Sequence, residues 1–503
     1  MEAAKKTKSR RTTEFGDFQT PPELALAATE VLRDLGVRPQ SIVEPTCGRG
    51  AFLRAAAGCF PEAKSIIGVD INQDHLRFAN MFASRSAPRI DLWKGDFFKM
   101  DWGSIVTSTG EPWLIIGNPP WVTSSDLAAI ESDNLPEKSN FHGRSGIEAI
   151  TGKSNFDISE WMLLRYLDWL ESANGTIAVL CKTAVARKVL LHIWKHKRTG
   201  LGSARIYKID AFRSFGASVD ACFFVLEIQC SGQARECEIF ASLNAGVPTH
   251  TIGFADGHIV PQIAAFNKHR GLAGPESRYV WRSGIKHDCS KVMELAITPG
   301  GYRNGLGETV EIEDRYLFPL LKSSDIANGR TKSRAAMIVT QTFVGENTAP
   351  IETHAPMTWR YLERHAELLD KRGSSIYRNK PRYSIFGVGP YTFAPWKVAI
   401  SGFYKRLNFM KIGSPDGKAS VFDDTVNFLP CWSEEEADFI VSLLRSKQAQ
   451  EFLTSIIHWD EKRPVTIEVL KRLSIERLAA IHSREQEYAY FTECQNLPLF
   501  AAQ

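Results

Sequence analysis

No apolar run in the chain comes near the roughly 20 residues that a membrane-spanning helix requires. The longest, such as Trp113–Gly117 and Gly175–Cys181, are far shorter. No apolar segment follows the basic, polar stretch from Met1 to Thr13, so the pattern of a secretory signal is missing. Cysteines are few and show no CxxC: nine, at positions 47, 59, 181, 222, 230, 237, 289, 431 and 494. Cys222, Cys230 and Cys237 are spaced by eight and seven, which is not a zinc spacing, and an odd count argues against a disulfide framework. Structural or free thiols and no metal are expected. An excess of one charge is absent too. Lys and Arg total 61 against 57 Asp and Glu, a formal +4; the balance is 28 to 26 up to Cys230 and 33 to 31 after it. The sum announces no polyanionic partner. What is present is an ordinary globular composition of 503 residues, 44% hydrophobic and 23% charged. At about 150 residues per domain, this predicts two to four domains in a cytoplasmic protein with no membrane partner.

The first 230 residues alternate helical and strand signals. Apolar positions recur at helical spacing over Glu23–Leu35 and stop at Gly36. Ser41–Val43 predicts a strand, Ala51–Ala57 a helix, Ser65–Val69 a buried strand and Gln73–Ala83 a helix. Strands follow at Ile90–Trp93 and Trp113–Ile116, then a long helix at Asp157–Leu170 and a strand at Thr176–Cys181. A helix at Ala184–His196 and β-rich runs at Arg205–Phe212 and Asp220–Ile228 close the series. This beat argues for an α/β domain over residues 1–230 with a doubly wound parallel sheet. The last two strands lie too close for a helical crossover, so an antiparallel hairpin is expected at a sheet edge. From Ser231 onward Gly, Pro and Asn punctuate short apolar segments, and helices are scarce until Glu434. Residues 434–457 and 465–481 then read as amphipathic helices. Residues 231–503 are expected as a separate α+β domain with a helical end.

The segment Val43-Glu44-Pro45-Thr46-Cys47-Gly48-Arg49-Gly50 sits between the first strand and its helix. Gly48 and Gly50 allow tight turning, but the dinucleotide fingerprint GxGxxG fails because Leu53 stands at its last position. The cadence that follows is more telling. Asp70 ends the second strand 26 residues after Glu44, where an acid is placed to accept ribose hydroxyls. Asp96 ends the third strand after another 26, within reach of an adenine amino group, and Phe97 is placed to stack on the ring. A nucleoside without a pyrophosphate is implied, and S-adenosylmethionine fits.

Asn118-Pro119-Pro120-Trp121 follows the fourth strand. An exocyclic amine on an aromatic ring is a poor nucleophile because its lone pair is delocalised. The Asn118 side-chain oxygen can accept one amino proton and the Pro119 carbonyl the other, with consecutive prolines stiffening the backbone. Two such acceptors push the nitrogen toward tetrahedral geometry and aim its lone pair at a methyl-sulfonium carbon. Trp121 offers a π-face for the base.

Gln19-Thr20-Pro21-Pro22-Glu23, the Glu44–Gly50 loop, Asp70, Asp96-Phe97 and Asn118-Pro119-Pro120-Trp121, in that order, resemble the gamma-class adenine-N6 DNA methyltransferases of restriction–modification systems. The resemblance covers about residues 14–230. It implies a class I S-adenosylmethionine-dependent, Rossmann-like methyltransferase domain followed by a target-recognition domain. It also implies cofactor contacts from Thr20, Thr46, Cys47 and Gly48. The family's motif usually ends in Tyr or Phe, and Trp121 is a less common variant. The later aromatic that sandwiches the flipped adenine best matches Phe215, with Phe212 a competing register. An adenine inside a duplex cannot reach such a pocket, so base flipping is implied. The Ser-, Gly- and charge-rich stretch Val122–Asn155 reads either as a loop closing over DNA or as a solvated insertion.

In the second half, Lys371 to Lys411 holds nine basic residues, nine aromatics and no acid. Such interleaving suits contact with double-stranded DNA, and Lys380, Arg382, Tyr383 and Lys397 are the expected contacts. Trp281–Asp288 is a second polar cluster, in which His287 alone is more often structural. Three rivals remain open: methylation of RNA, methylation of protein glutamine, and a non-catalytic DNA-specificity subunit. The only Glu-x-Lys near a Pro, Glu62-Ala63-Lys64, lies inside the cofactor-binding unit, so the restriction endonuclease is expected to be a separate protein.

Overall fold

The computed structural model describes residues 19–107, 109–122, 157–196, 200–276 and 278–494. The stretch 123–155, read above as a closing loop or insertion, lies outside them. The chain divides into two compact units that meet at Ile263 and Ala264.

The first unit is built on one ten-stranded sheet. Its parallel half comprises β1 (Ser41–Glu44), β2 (Ser65–Asp70), β3 (Ile90–Lys94), β4 (Trp113–Gly117) and β5 (Gly175–Lys182). β6 (Leu201–Ile209), β7 (Ala221–Ile228), β8 (Glu236–Phe240), β9 (His250–Ala255) and β10 (His258–Val260) complete it, in the order β10-β9-β8-β6-β7-β5-β4-β1-β2-β3. The run β3-β2-β1-β4-β5-β7-β6, with β7 antiparallel to both neighbours, is the arrangement of class I methyltransferases. Helices α1 (Pro22–Asp34), α2 (Ala51–Cys59), α3 (Gln73–Ala83), α4 (Trp102–Thr107), α5 (Ile158–Trp169), α6 (Thr183–His196) and α7 (Ala211–Phe215) fill the connections.

Alternation along the strands explains why the sheet needs helices on both faces. Val43, Ile67, Ile115 and Ile177 pack in one core with residues of α5 and α6. Their neighbours Ile42, Ile66, Leu114 and Ala178 pack in another with α1 and α2. Both faces being buried, the strands read as continuous apolar runs.

Two expectations are corrected here. The β6–β7 hairpin is antiparallel, but it is internal: β7 inserts between β5 and β6, and β8 pairs in parallel with β6 on its far side. For the same reason the first unit does not close at Cys230. Three strands beyond it join the sheet, and Cys237, Ile239 and Ile252 enter its core.

The second unit holds two sheets. One contains β11 (Arg282–Ser283), β20 (Val426–Cys431), β17 (Trp396–Ser401) and β18 (Met410–Ile412), in that order. The other runs β14 (Thr309–Val310), β13 (Gly301–Asn304), β12 (Glu294–Thr298), β16 (Ala335–Ile338), β15 (Leu317–Leu321), β19 (Val421–Phe422). The predicted helical end is present as Glu434–Leu444, Lys447–Ile456, Ile467–Leu470 and Ile475–Ile481. A further helix, Pro356–Arg364, forms where none was expected. No helix among the described residues is long and apolar enough to cross a membrane.

Candidate active site

The carboxyl ends of β1, β2, β3 and β4 deliver their following residues to one cavity of about 360 Å³, within the size range of small-molecule sites. Thr20, Glu44, Thr46, Cys47, Gly48, Asp70, Asp96, Phe97, Asn118 and Pro120 all line it. Residues 98 positions apart in the chain are brought together in this way: the Asn118 side-chain N–H donates to Thr20 Oγ1 at 3.3 Å.

Glu44 lies at the end of β1, only 3% exposed, and its Oε2 has no hydrogen-bond partner among the described residues. Burial pushes its carboxyl well above the ordinary range; the Leu53 N–H in the first turn of α2 opposes the shift, and the charge of Asp70 adds to it. An acid held this way is primed for a cationic partner. Close approach from β4 is possible because Gly117 has no side chain. At φ +153°, a Cβ there would meet Glu44 Cγ at 3.3 Å. Cys47 is a neutral wall, its thiol pushed up by burial and by Glu44 and Asp70.

Asp70 ties two turns together. Its Oδ2 accepts from Gly48 N at 2.7 Å and its Oδ1 from Asn72 N at 2.7 Å, with His75 Nδ1 at 3.5 Å. Gly48 itself, at φ +51°, lies so close to Gln19 that a Cβ would stand 2.8 Å from its Oε1. That same oxygen accepts from Arg49 N at 3.0 Å. Asp96 accepts from Phe98 N at 3.0 Å and pairs with Lys99 at 3.1 Å. The Phe97 ring is held by Trp102, Trp169 and Tyr166, with centroids 5.3, 5.9 and 6.0 Å away. Phe97 is therefore a fixed wall of the cavity.

Pro119, Trp121 and Phe215 do not line this cavity. Trp121 is not the open platform expected from the sequence: it is 7% exposed and donates its indole N–H to Leu180 O at 3.2 Å. Phe215, half-buried at the end of α7, touches its ring edge to face at 5.2 Å, whereas Phe212 is 71% exposed. The two rings are too close to admit a third between them, so a base entering there would displace Phe215. Sequence reasoning missed Gln19, His75, Val122, Ile158 and Met162, which share the cavity. Gln19 opens the first quoted motif and His75 follows Asp70 by five residues; the other three are apolar residues without a local signal.

The expected DNA contacts separate. Lys380 and Arg382 are exposed, but Tyr383 and Lys397 are each only 1% exposed and cannot meet a duplex. Lys397 Nζ donates to Ala394 O and Ser420 O, both at 2.8 Å, and burial lowers its pKa to about 7. Tyr383 packs against Trp359 at 5.3 Å in the core. The acid-free stretch also acquires acids from elsewhere. Arg382 pairs with Asp370 at 3.1 Å, Lys371 with Glu367, and Lys411 with Glu434 and Asp438 at 2.9 and 2.7 Å.

Residues 4–187 match the N-6 DNA Methylase family. Across 470 residues the chain is 46% identical to the type II methyltransferase M.NspV of Nostoc sp. (strain ATCC 29411 / PCC 7524), covering 93% of this chain and 98% of that protein. Among solved structures, it is similar over 95% of its length to 76% of the type IIL restriction–modification enzyme MmeI in complex with DNA (TM-score 0.49, 11% identity). It is also similar over 44% of its length to 48% of the type I restriction enzyme EcoKI M protein (TM-score 0.28, 12% identity). With near-complete mutual coverage at that identity to M.NspV, this chain belongs to the type II methyltransferase family and carries an N-6 DNA methylase domain.

Proposed function

We propose that the chain is a gamma-class, site-specific DNA methyltransferase that moves a methyl group from S-adenosylmethionine to the N6 amino group of an adenine flipped from duplex DNA. In this reading it protects DNA in the cytoplasm against a separate restriction endonuclease. The observation that carries the reading is the convergence of Asn118 and Pro120 with Glu44, Asp70 and Asp96 on one cavity.

The residues fit the cofactor. The buried Glu44 oxygen without a partner suits a cationic group, and Asp96 and Phe97 offer an acceptor beside an aromatic wall. When bound, S-adenosylmethionine supplies an electrophilic methyl on a sulfonium centre. The chain's own part is to orient the amine. Because Asn118 spends an N–H on Thr20, its amide plane is set and its carbonyl branch serves as acceptor for one amino proton. We assign the other amino proton to the backbone carbonyl of Pro119, which follows Asn118 in the chain but lies outside the lining of this cavity. Such preorganised acceptors contribute roughly 10²–10³ in rate.

Incubating the chain with duplex DNA and methyl-labelled cofactor tests this. Label should appear on adenine N6, and Asn118→Ala should reduce the rate by about 10²–10³. Asp70→Ala should instead act mainly by weakening cofactor binding. Label found only on RNA or on protein glutamine, or no transfer at all, would refute the reading.

A further inference from the structure

We propose that two turns of the second unit, Thr342–Asn347 and Arg378–Lys380, form one rigid contact platform for duplex DNA. Phe343 and Val344 meet base edges, and Arg378 and Lys380 hold the flanking phosphates. This rests on the DNA-methyltransferase reading and extends it to the residues that choose the sequence.

Phe343 and Val344 are adjacent at the tip of a turn, 55% and 44% exposed. The turn is not slack. Gly345 at φ +90° lets Glu346 N donate to Phe343 O at 3.2 Å. The Glu346 carboxylate accepts from Thr342 N and from Thr342 Oγ1, and its carbonyl from Gln341 Nε2 at 2.5 Å. Two large apolar side chains are thus held out of the core by a constrained backbone.

Four buried polar side chains then fasten this turn to the residues just after the basic one. Thr340 Oγ1 donates to Tyr383 O at 2.8 Å and Thr348 Oγ1 to Arg382 O at 2.5 Å. Gln341 accepts from Ile385 N at 2.8 Å and donates to Ser384 Oγ at 3.4 Å. None of Thr340, Gln341, Thr348 and Ser384 is more than 4% exposed. Burying polar groups is costly unless they are bonded, and a satisfied network of this kind fixes one geometry.

The basic turn is constrained as well. Asn379 at φ +58° and Tyr383 at φ +62° adopt the left-handed conformation that residues other than glycine seldom take. Beside them Arg372 lies 3.8 Å from the Tyr377 ring centroid and donates to Leu369 O and Ser384 O, both at 2.7 Å. Acids nearby are engaged: Asp370 with Arg382, Asp288 with Lys286. Arg378 and Lys380 are exposed and have no ion pair among the described residues. An apolar tip at a fixed position relative to a cationic tip complements a duplex, where base edges lie between rows of phosphates.

The test uses the full-length chain. The sequence it methylates is read by modification-sensitive sequencing of treated plasmid. Affinities are then measured over a salt series for a short duplex carrying that sequence and for a scrambled one. Substituting Phe343→Ala and Val344→Ala together should reduce discrimination between the duplexes by about tenfold or more, with the salt slope unchanged. Substituting Arg378→Gln and Lys380→Gln together should weaken both duplexes alike and make the slope shallower by about 1.8. Melting transitions and a far-ultraviolet circular dichroism spectrum that match the wild type's report an intact fold of the second unit in both variants. Folded variants that bind and discriminate like the wild type overturn the platform. So does an apolar variant that weakens both duplexes equally. A wild-type chain that methylates no DNA identifies the functional reading as the failure.

Discussion

Lys397 shows how far the environment of one residue can depart from its class. A lysine is ordinarily a surface charge, but here β17 carries it inward, where Nζ donates hydrogen bonds to two backbone carbonyls. With its pKa lowered by burial from 10.5 to about 7, the unfolded chain binds more protons than the folded one between those values. Stability contributed by this group therefore rises with pH from about 7 toward 10.5 and is absent below that window. Lys397→Met removes the titration and strands two acceptors, at roughly 1–3 kcal/mol for each left unsatisfied. We expect the variant's melting temperature to fall increasingly below the wild type's as pH is raised from about 7 through the window. Parallel profiles would show that the lysine is not titrating there. Nothing in the local sequence revealed this burial, because hydropathy treats every lysine as solvated. The acids at Glu44, Asp70 and Asp96 were legible for the opposite reason: each follows a strand in a repeating βα unit, and that fold sends strand ends to one place.

Among the elements, α5 is joined to the cavity by its first turn. Asp157 caps it by accepting from Ser159 N at 3.1 Å, and the same carboxylate holds Lys182 Nζ at 2.6 Å, at the end of β5. Ile158 N donates to Val122 O at 2.9 Å, and Ile158, Val122 and Met162 all line the cavity. Asp157→Ala should therefore cost about 1 kcal/mol for the cap, with more for the stranded lysine, a loss of at least 2–4 °C in melting temperature. It should also weaken cofactor binding severalfold, read by calorimetry. Lys182→Met keeps the cap and should cost less stability. If Asp157→Ala loses stability but binds cofactor as tightly as before, the helix start does not set the cavity wall. The helix Pro356–Arg364 escaped prediction because nine residues give the apolar period too little length to stand out, and Pro356 reads as a turn until it is seen in the first turn of a helix.

For the whole molecule, the informative error is the boundary. Gly, Pro and Asn after Ser231 suggest a new domain, yet β8 returns to pair with β6 over Arg205–Tyr207 and Glu238–Phe240. A parallel partner so close in sequence leaves no local periodic signal of its own. The consequence is measurable. A fragment of residues 1–230 would lack the buried side chains of Cys237, Ile239, Phe240 and Ile252. At about 1.5–3 kcal/mol for each large apolar side chain, that loss rivals the 5–15 kcal/mol of a typical domain. It would also bare the edge of β6, an invitation to pair with another chain. Residues 1–263 retain every strand of the sheet. We expect the longer fragment to be monodisperse and to bind S-adenosylmethionine, and the shorter one to aggregate or fail to bind. Equal binding by both would mean that β8, β9 and β10 decorate the methyltransferase sheet without stabilising it. Binding by neither would mean that the first unit depends on the second to fold.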